Sequence, residues 1–221
     1  MSYQATITLY RASELTGRAR ERVIERLREE FWESGIGVEM ITEKFEQILK
    51  EKGYPADDVR WRLSYCQGDG VAFYGTIPDV EKVCMRAAPE IYKEFCLLLS
   101  LAGHADEIGY LSFTINKNRS LHLYDHYNTM YVTSNFEFYD HEDDEQLNDQ
   151  LWNLIERLTE AIEEDIRQTS KELEKVGYEM IEEMEKEKYL FEDADNNGYL
   201  FTEDGRYWGR EWDLEEAVQC T

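Results

Sequence analysis

No stretch of this 221-residue chain is long and apolar enough to cross a bilayer. The longest apolar run, FCLLLSLAG from Phe95 to Gly103, is less than half of the ~20 residues a spanning helix needs. The opening MSYQATITLY lacks a basic segment followed by an apolar one, so no secretory signal is expected. Cysteine is sparse. Cys66, Cys84, Cys96 and Cys220 form no C-x-x-C pair and have no histidine at zinc-finger spacing. They read as reduced thiols of a cytoplasmic protein. Catalytic signatures are also missing: there is no G-x-S-x-G, phosphate loop, H-E-x-x-H or locally supported Cys–His arrangement. No internal repeat and no low-complexity linker interrupts the chain.

Basic residues are the most informative shortage. The 24 Lys and Arg face 48 Asp and Glu, a formal net charge of −24. The imbalance is local: 28 of the acids but only 8 of the bases lie in residues 137–221. A segment this acidic repels phosphate, which argues against direct nucleic-acid binding. It attracts a basic surface such as the nucleic-acid groove of another protein. The plainer alternative is a solubilising acidic face with no partner.

What is present is enough for a core, since 42% of residues are hydrophobic and 13% aromatic. That composition excludes a disordered chain and suits one large domain or two small ones. Tyr3–Tyr10 alternates and is expected to form a first strand. Thr16 can cap a helix in which Ala19, Val23, Leu27 and Phe31 recur every four residues. Its arginines are interleaved with glutamates, which favours a salt-laced surface over a nucleic-acid patch. A second helix is expected from about Val38 to Lys52, with Ile41, Phe45, Ile48 and Leu49 inward, stopped by Gly53 and followed by Pro55.

Two alternating runs, Val59–Tyr65 and Val71–Ile77, flank Gln67-Gly68-Asp69-Gly70 and read as a β-hairpin with a tight glycine turn. A helix after Pro78 should be kinked or broken at Pro89 and end near Gly103. Strands are expected at Ile108–Asn116, Ser120–Tyr127 and Thr129–Tyr139. From Asp143 onward Leu151, Ile155, Leu158, Ile162, Ile166, Thr169, Leu173, Val176, Met180 and Met184 mark a long amphipathic helix, unbroken to residue 188, kinked at Gly177 or folded back as two. Residues 189–214, aromatic and turn-rich, should pack back on the body. The expected class is α+β: an antiparallel sheet of hairpins covered by helices (1–142), with a long acidic helical segment (143–221) in one continuous or two separate domains.

Three candidate sites follow. Asp69 in its glycine turn, with Gln67, is a candidate ligand site together with His122, Tyr124 and His126, although turn chemistry alone explains Asp-Gly. His122 and His126 are four apart in what reads as a strand, about 13 Å, too far to share one metal ion. Residues 193–204 open like a calcium loop, with Asp193, Asp195 and Asn197 at positions one, three and five. They depart from it at Phe201 and at Asp204, where a bidentate Glu is usual, and read equally as a helix C-terminus, an Asn-Asn-Gly turn and a short strand. No cofactor and no metal is expected from the rest of the chain. The third site is the outer face of the long helix, where Glu160, Glu163, Glu164, Glu172, Glu179 and Glu183 can imitate a row of phosphates.

Three segments in chain order also carry a resemblance. ITLYRASELTGRARERV, LSYCQGDGVAFYG and NNGYLFTEDGR resemble a group of uncharacterised phage and prophage proteins with a Ser-Gln-Gly-Asp-Gly motif and an Asn-x-Tyr-x-Phe-Thr-x-x-Gly tail. Cys66 stands where that group has Ser. Such proteins often carry the label of antitoxins of toxin–antitoxin stability systems, and the resemblance implies a phage or mobile-element origin. It supplies no catalytic residues. Charge and resemblance together lead to the expectation of a non-enzymatic, cytoplasmic protein that inhibits a host protein with a basic surface: a defence nuclease, a Cas effector or a toxin. The rivals are a small-ligand binder or enzyme at Asp69 and His126, and an assembly protein that homodimerises through the long helix.

Overall fold

The computed structural model describes residues 6–118, 124–136 and 145–213. Six α-helices are found among the described residues: α1 (Gly17–Glu33), α2 (Ile36–Lys52), α3 (Val80–Ala87), α4 (Pro89–Ala102), α5 (Glu145–Met184) and α6 (Glu187–Asn196). The strands are β1 (Asp58–Arg62), β2 (Gly70–Thr76), β3 (Ser112–Lys117), β4 (Met130–Asn135), β5 (Tyr199–Phe201) and β6 (Tyr207–Arg210). The first four strands form one antiparallel sheet in the order β1-β2-β3-β4, and the last two form a separate hairpin. The α+β class holds, with a long acidic helix near the C-terminal end.

The chain divides into two compact units, Met1–Met40 with Glu179–Thr221, and Ile41–Tyr178. Both boundaries fall inside helices, α2 and α5. The division therefore follows packing, whereas a boundary at 142/143 follows the change in charge.

In the larger unit, Ile41, Phe45 and Leu49 on α2 and Leu151, Ile155, Leu158, Ile162, Ile166 and Leu173 on α5 are buried. These are the stripes that periods of three and four require. Phe45 of α2 packs edge-on against Trp61 of β1, and Tyr54, just beyond α2, lies tilted against Phe73 of β2. The other face of β2 is closed too. Ala72 and Tyr74 are buried, and the Tyr74 hydroxyl donates to Asp125 Oδ1 at 3.0 Å. β2 is thus covered on both sides.

α5 runs unbroken through Gly177. A Cβ there would collide with the side chains of Leu63 and Phe45, so this glycine permits close approach and does not end or split the helix. Pro89 is the first residue of α4, and Ala88 both ends α3 and precedes α4. The sequence expectation of a break holds, because a proline nitrogen has no proton to give but at N1 none is needed.

A polar cluster locks three elements of this unit. Arg86 of α3 donates Nη2 to Asp165 Oδ2 of α5 at 2.8 Å and Nε at 3.0 Å. The Tyr54 hydroxyl donates to the same oxygen, and Arg86 Nη1 reaches the Lys52 carbonyl at the end of α2. Burial first, and then the Asp165 charge, push the Tyr54 phenol far above its ordinary range.

The smaller unit joins the N-terminal residues to the aromatic segment near the C-terminus. Tyr10 and Phe201 exchange backbone hydrogen bonds at 2.9 Å, and Phe31 meets the Tyr189 ring edge-on. The strand expected over Tyr3–Tyr10 is reduced to the single bridge at Tyr10 among the described residues. Residues 189–196, the start of the stretch expected to be turn-rich, belong to α6, whose Leu190, Phe191 and Ala194 are buried at helical spacing.

Candidate functional site

The Gly-Asp-Gly segment is more than a tight turn. β1 ends at Arg62 opposite Gly70, so residues 63–69 form the connection. Asp69 organises it. Its Oδ2 accepts from the Ser64 N–H at 2.6 Å, the Cys66 N–H at 2.9 Å and the Tyr178 hydroxyl at 2.6 Å, while Oδ1 accepts from Ser64 Oγ at 2.9 Å. Desolvation pushes this carboxyl up, but the hydrogen bonds from Tyr178, Cys66 and Ser64 together outweigh it and hold it at about 2. Both oxygens are engaged and the group is weakly basic, so Asp69 is poorly placed to abstract a proton.

The rest of the loop is equally committed. Tyr65 sits at φ 56, a left-handed conformation that non-glycine residues rarely adopt, and its ring lies 4.6 Å from that of Tyr178. Gly68 has φ 101, and a Cβ on it would lie 2.6 Å from the Tyr124 ring. At Gly70 a Cβ would run into the His126 side chain. The structure therefore does bring Asp69, Tyr124 and His126 to one place. Gln67 is exposed on the same loop. His122 lies outside the described residues.

Tyr124 to Thr129 is not a strand. It is a loop closed by the Thr129 N–H on the His126 carbonyl at 2.8 Å, and His126 Nδ1 accepts from the Asn128 N–H at 3.1 Å. β3 pairs directly with β4, and the expected strand over Ser120–Tyr127 does not appear among its described residues. Glu174 of α5 faces this cluster. Burial, and then the Asp69 charge, raise its carboxyl, while His126 opposes them.

The calcium-like segment is also folded differently. Asp193 and Asp195 fall within α6, so the first two expected ligands are helical rather than on a loop. Asn197 Nδ2 donates to the Asp193 carbonyl at 2.9 Å, Asp195 Oδ2 accepts from Ser13 Oγ at 2.8 Å, and Asp204 Oδ1 accepts from Thr202 Oγ at 2.5 Å. Among the described residues no three His, Cys, Asp or Glu side chains are grouped to hold a metal ion.

The six glutamates of the long helix prove unequal. Glu163 is turned toward the sheet. Its Oε1 accepts from the Val132 N–H of edge strand β4 at 3.1 Å, and Oε2 from Arg167 at 2.9 Å. Glu164 is held by Gln168 at 2.6 Å, Glu172 pairs with Lys52 at 2.9 Å and Glu183 pairs with Lys186. Glu179 also interacts. Glu160 alone of the six is exposed with no ion-pair or hydrogen-bond partner among the described residues.

Glu160 belongs to a different group that sequence reading missed. Asp149, Trp152, Glu156 and Glu160 follow at intervals of three, four and four, which places them on one face of α5. With Ser134 of β4 they line a concavity of about 590 Å³. Asp149 and Glu156, like Glu160, have no ion-pair partner among the described residues, and Trp152, between Asp149 and Glu156 on that face, is 49% exposed. That spacing was readable in the sequence. Its significance was not, because only the fold shows which carboxylates are left without cations.

The chain belongs to a family described as a domain of unknown function, DUF8835, whose model matches residues 21–193. No curated protein and no solved structure matches it.

Proposed function

We propose that this family member is a non-enzymatic protein that binds, and so inhibits, a protein with a basic nucleic-acid-binding surface. A defence nuclease, a Cas effector or a toxin has such a surface. The observation that carries the reading is the face of α5 on which Asp149, Glu156 and Glu160, without ion-pair partners among the described residues, line one concavity with the exposed Trp152. Unpaired carboxylates gain most from an incoming cation, since no internal pair must first be broken. A large aromatic ring at the centre of a patch is the side chain most often found to anchor a protein interface. The three carboxylates stand about 10 and 6 Å apart along the helix axis, a short row of negative charge. The resemblance to phage and prophage proteins supports a setting inside a bacterial host.

Capture from a nuclease-treated bacterial lysate at low and high salt tests this. The parent chain should recover a basic protein that high salt releases and that duplex DNA displaces. A variant carrying D149N, E156Q and E160Q should lose it. Undiminished recovery by that variant would overturn the reading.

A second reading, small-ligand binding beside His126, is favoured by the convergence of Tyr124, His126 and Glu174 around the rigid Ser64–Gly70 connection. Replacing His126 with Ala separates the two, because the partner-binding face of α5 does not include it.

A further inference from the structure

A second concavity adjoins the first, and its chemistry differs. Glu94, Leu97, Leu98 and Leu101 on α4 follow at i, i+3, i+4 and i+7, and face Leu154 and Arg157 of α5 across a groove of about 410 Å³. Leu97 is 59% exposed and Leu101 77% exposed. On a helix whose Tyr92, Phe95 and Leu99 already fill the core, these two leucines have no packing role. Asp149 and Asn153 line both this groove and the acidic concavity around Trp152, so one surface runs from leucines to unpaired carboxylates.

We infer that this groove receives an amphipathic, basic α-helix of the partner protein. The inference rests on the proposed function and deepens it by giving the partner's recognition element. A groove between two helices accepts a third helix whose side-chain ridges enter it, with apolar residues at i, i+3, i+4 and i+7 as anchors. The groove wall from Glu94 to Leu101 spans about 10 Å along α4, enough for two turns of such a helix, and its leucines cover about 6 Å of it. Charge decides the occupant. Around the leucines, Glu94 is only loosely paired with Arg157 at 4.0 Å, and Asp149, Glu156 and Glu160 have no ion-pair partner among the described residues. A second copy of this chain would bring the same carboxylates against them, and an anionic lipid surface would be repelled. Lysines and arginines flanking an apolar helical stripe satisfy both halves of the surface.

The test uses the full chain and three labelled synthetic peptides of about four turns. One is a leucine–lysine helix with leucines on a single face, one has the same composition in scrambled order, and one has glutamate in place of lysine. Fluorescence anisotropy should show the first binding at least about tenfold more tightly than either other. L97S/L101S should weaken the first peptide by about tenfold and leave poly-L-lysine binding unchanged. D149N/E156Q/E160Q should weaken both. Circular dichroism checks the fold, which exposed leucines do not support. Equal binding of the ordered and scrambled peptides, or parental affinity in L97S/L101S, overturns the helix occupant while the acidic reading stands. Poly-L-lysine binding that ignores the three neutralised carboxylates overturns the acidic reading itself. A parent chain that sediments as a dimer, and as a monomer once L97S/L101S is introduced, assigns the groove to a second copy and overturns the inference.

Discussion

Asp69 and Glu156 are both half-exposed or exposed carboxylates of the same unit, yet they live in opposite surroundings. Asp69 accepts four hydrogen bonds from Ser64, Cys66 and Tyr178. Glu156 lines the concavity around Trp152 with no ion-pair partner among the described residues. A carboxylate whose lone pairs are taken shapes the chain around it. One left unpaired is available to a cation from outside. On an acidic protein the useful question is therefore which acids remain unclaimed, and the number of acids says little.

The contrast can be broken at its saturated end first. Arg86→Ala or Asp165→Ala removes one partner of the ion pair that also holds Tyr54, and each should cost about 3 kcal/mol in urea unfolding. Asp69→Ala strips the Ser64–Gly70 connection of its acceptor and should cost about 2 kcal/mol. The same group sets a pH dependence. Its folded carboxyl, held at about 2, lies below the ordinary 3.8, so its contribution is fully present above about pH 4. It is lost as the pH falls toward 2. Stability of the parent should drop across that window more than stability of Asp69→Asn.

Glu163→Ala, which leaves the Val132 N–H without its acceptor, should cost about 1 kcal/mol. The smallest effect has the opposite sign. Glu156 and Glu160 are like charges four apart on one helix, so E156Q or E160Q should raise stability by about 0.3 kcal/mol while weakening capture of a basic partner. A clear loss of stability in either would show that these carboxylates have structural work.

Local patterns in the sequence reached the helices and stopped short of the pairings. The stripes Val23–Leu27–Phe31 and Ile41–Phe45–Leu49, the antiparallel pair around Gln67–Gly70 and the break at Pro89 all follow from spacing and from proline and glycine chemistry. Ser120–Tyr127 was misread because Leu and Tyr alternate there, while its described end is a loop closed by Thr129. The end of α6 at Asn196, the turn at Asn197-Gly198 and the strand Tyr199–Phe201 match the plainer of the two readings of residues 193–204, while the start of α6 at Glu187 was not legible. The meaning of Asp69 depends on Tyr178, 109 residues away, and that of Glu172 on Lys52. No local pattern carries such information. The groove beside Trp152 was legible only as a spacing of three, four and four.

Two charge-matched variants test the central claim most directly. One neutralises Asp149, Glu156 and Glu160; the other neutralises Glu164, Glu172 and Glu183, acids already paired within the chain. Each loses three negative charges. Titration of immobilised poly-L-lysine at low salt should show binding falling by about tenfold or more in the first and by much less in the second. Equal losses would mean that net charge alone drives the attraction and that the face around Trp152 has no special part in it.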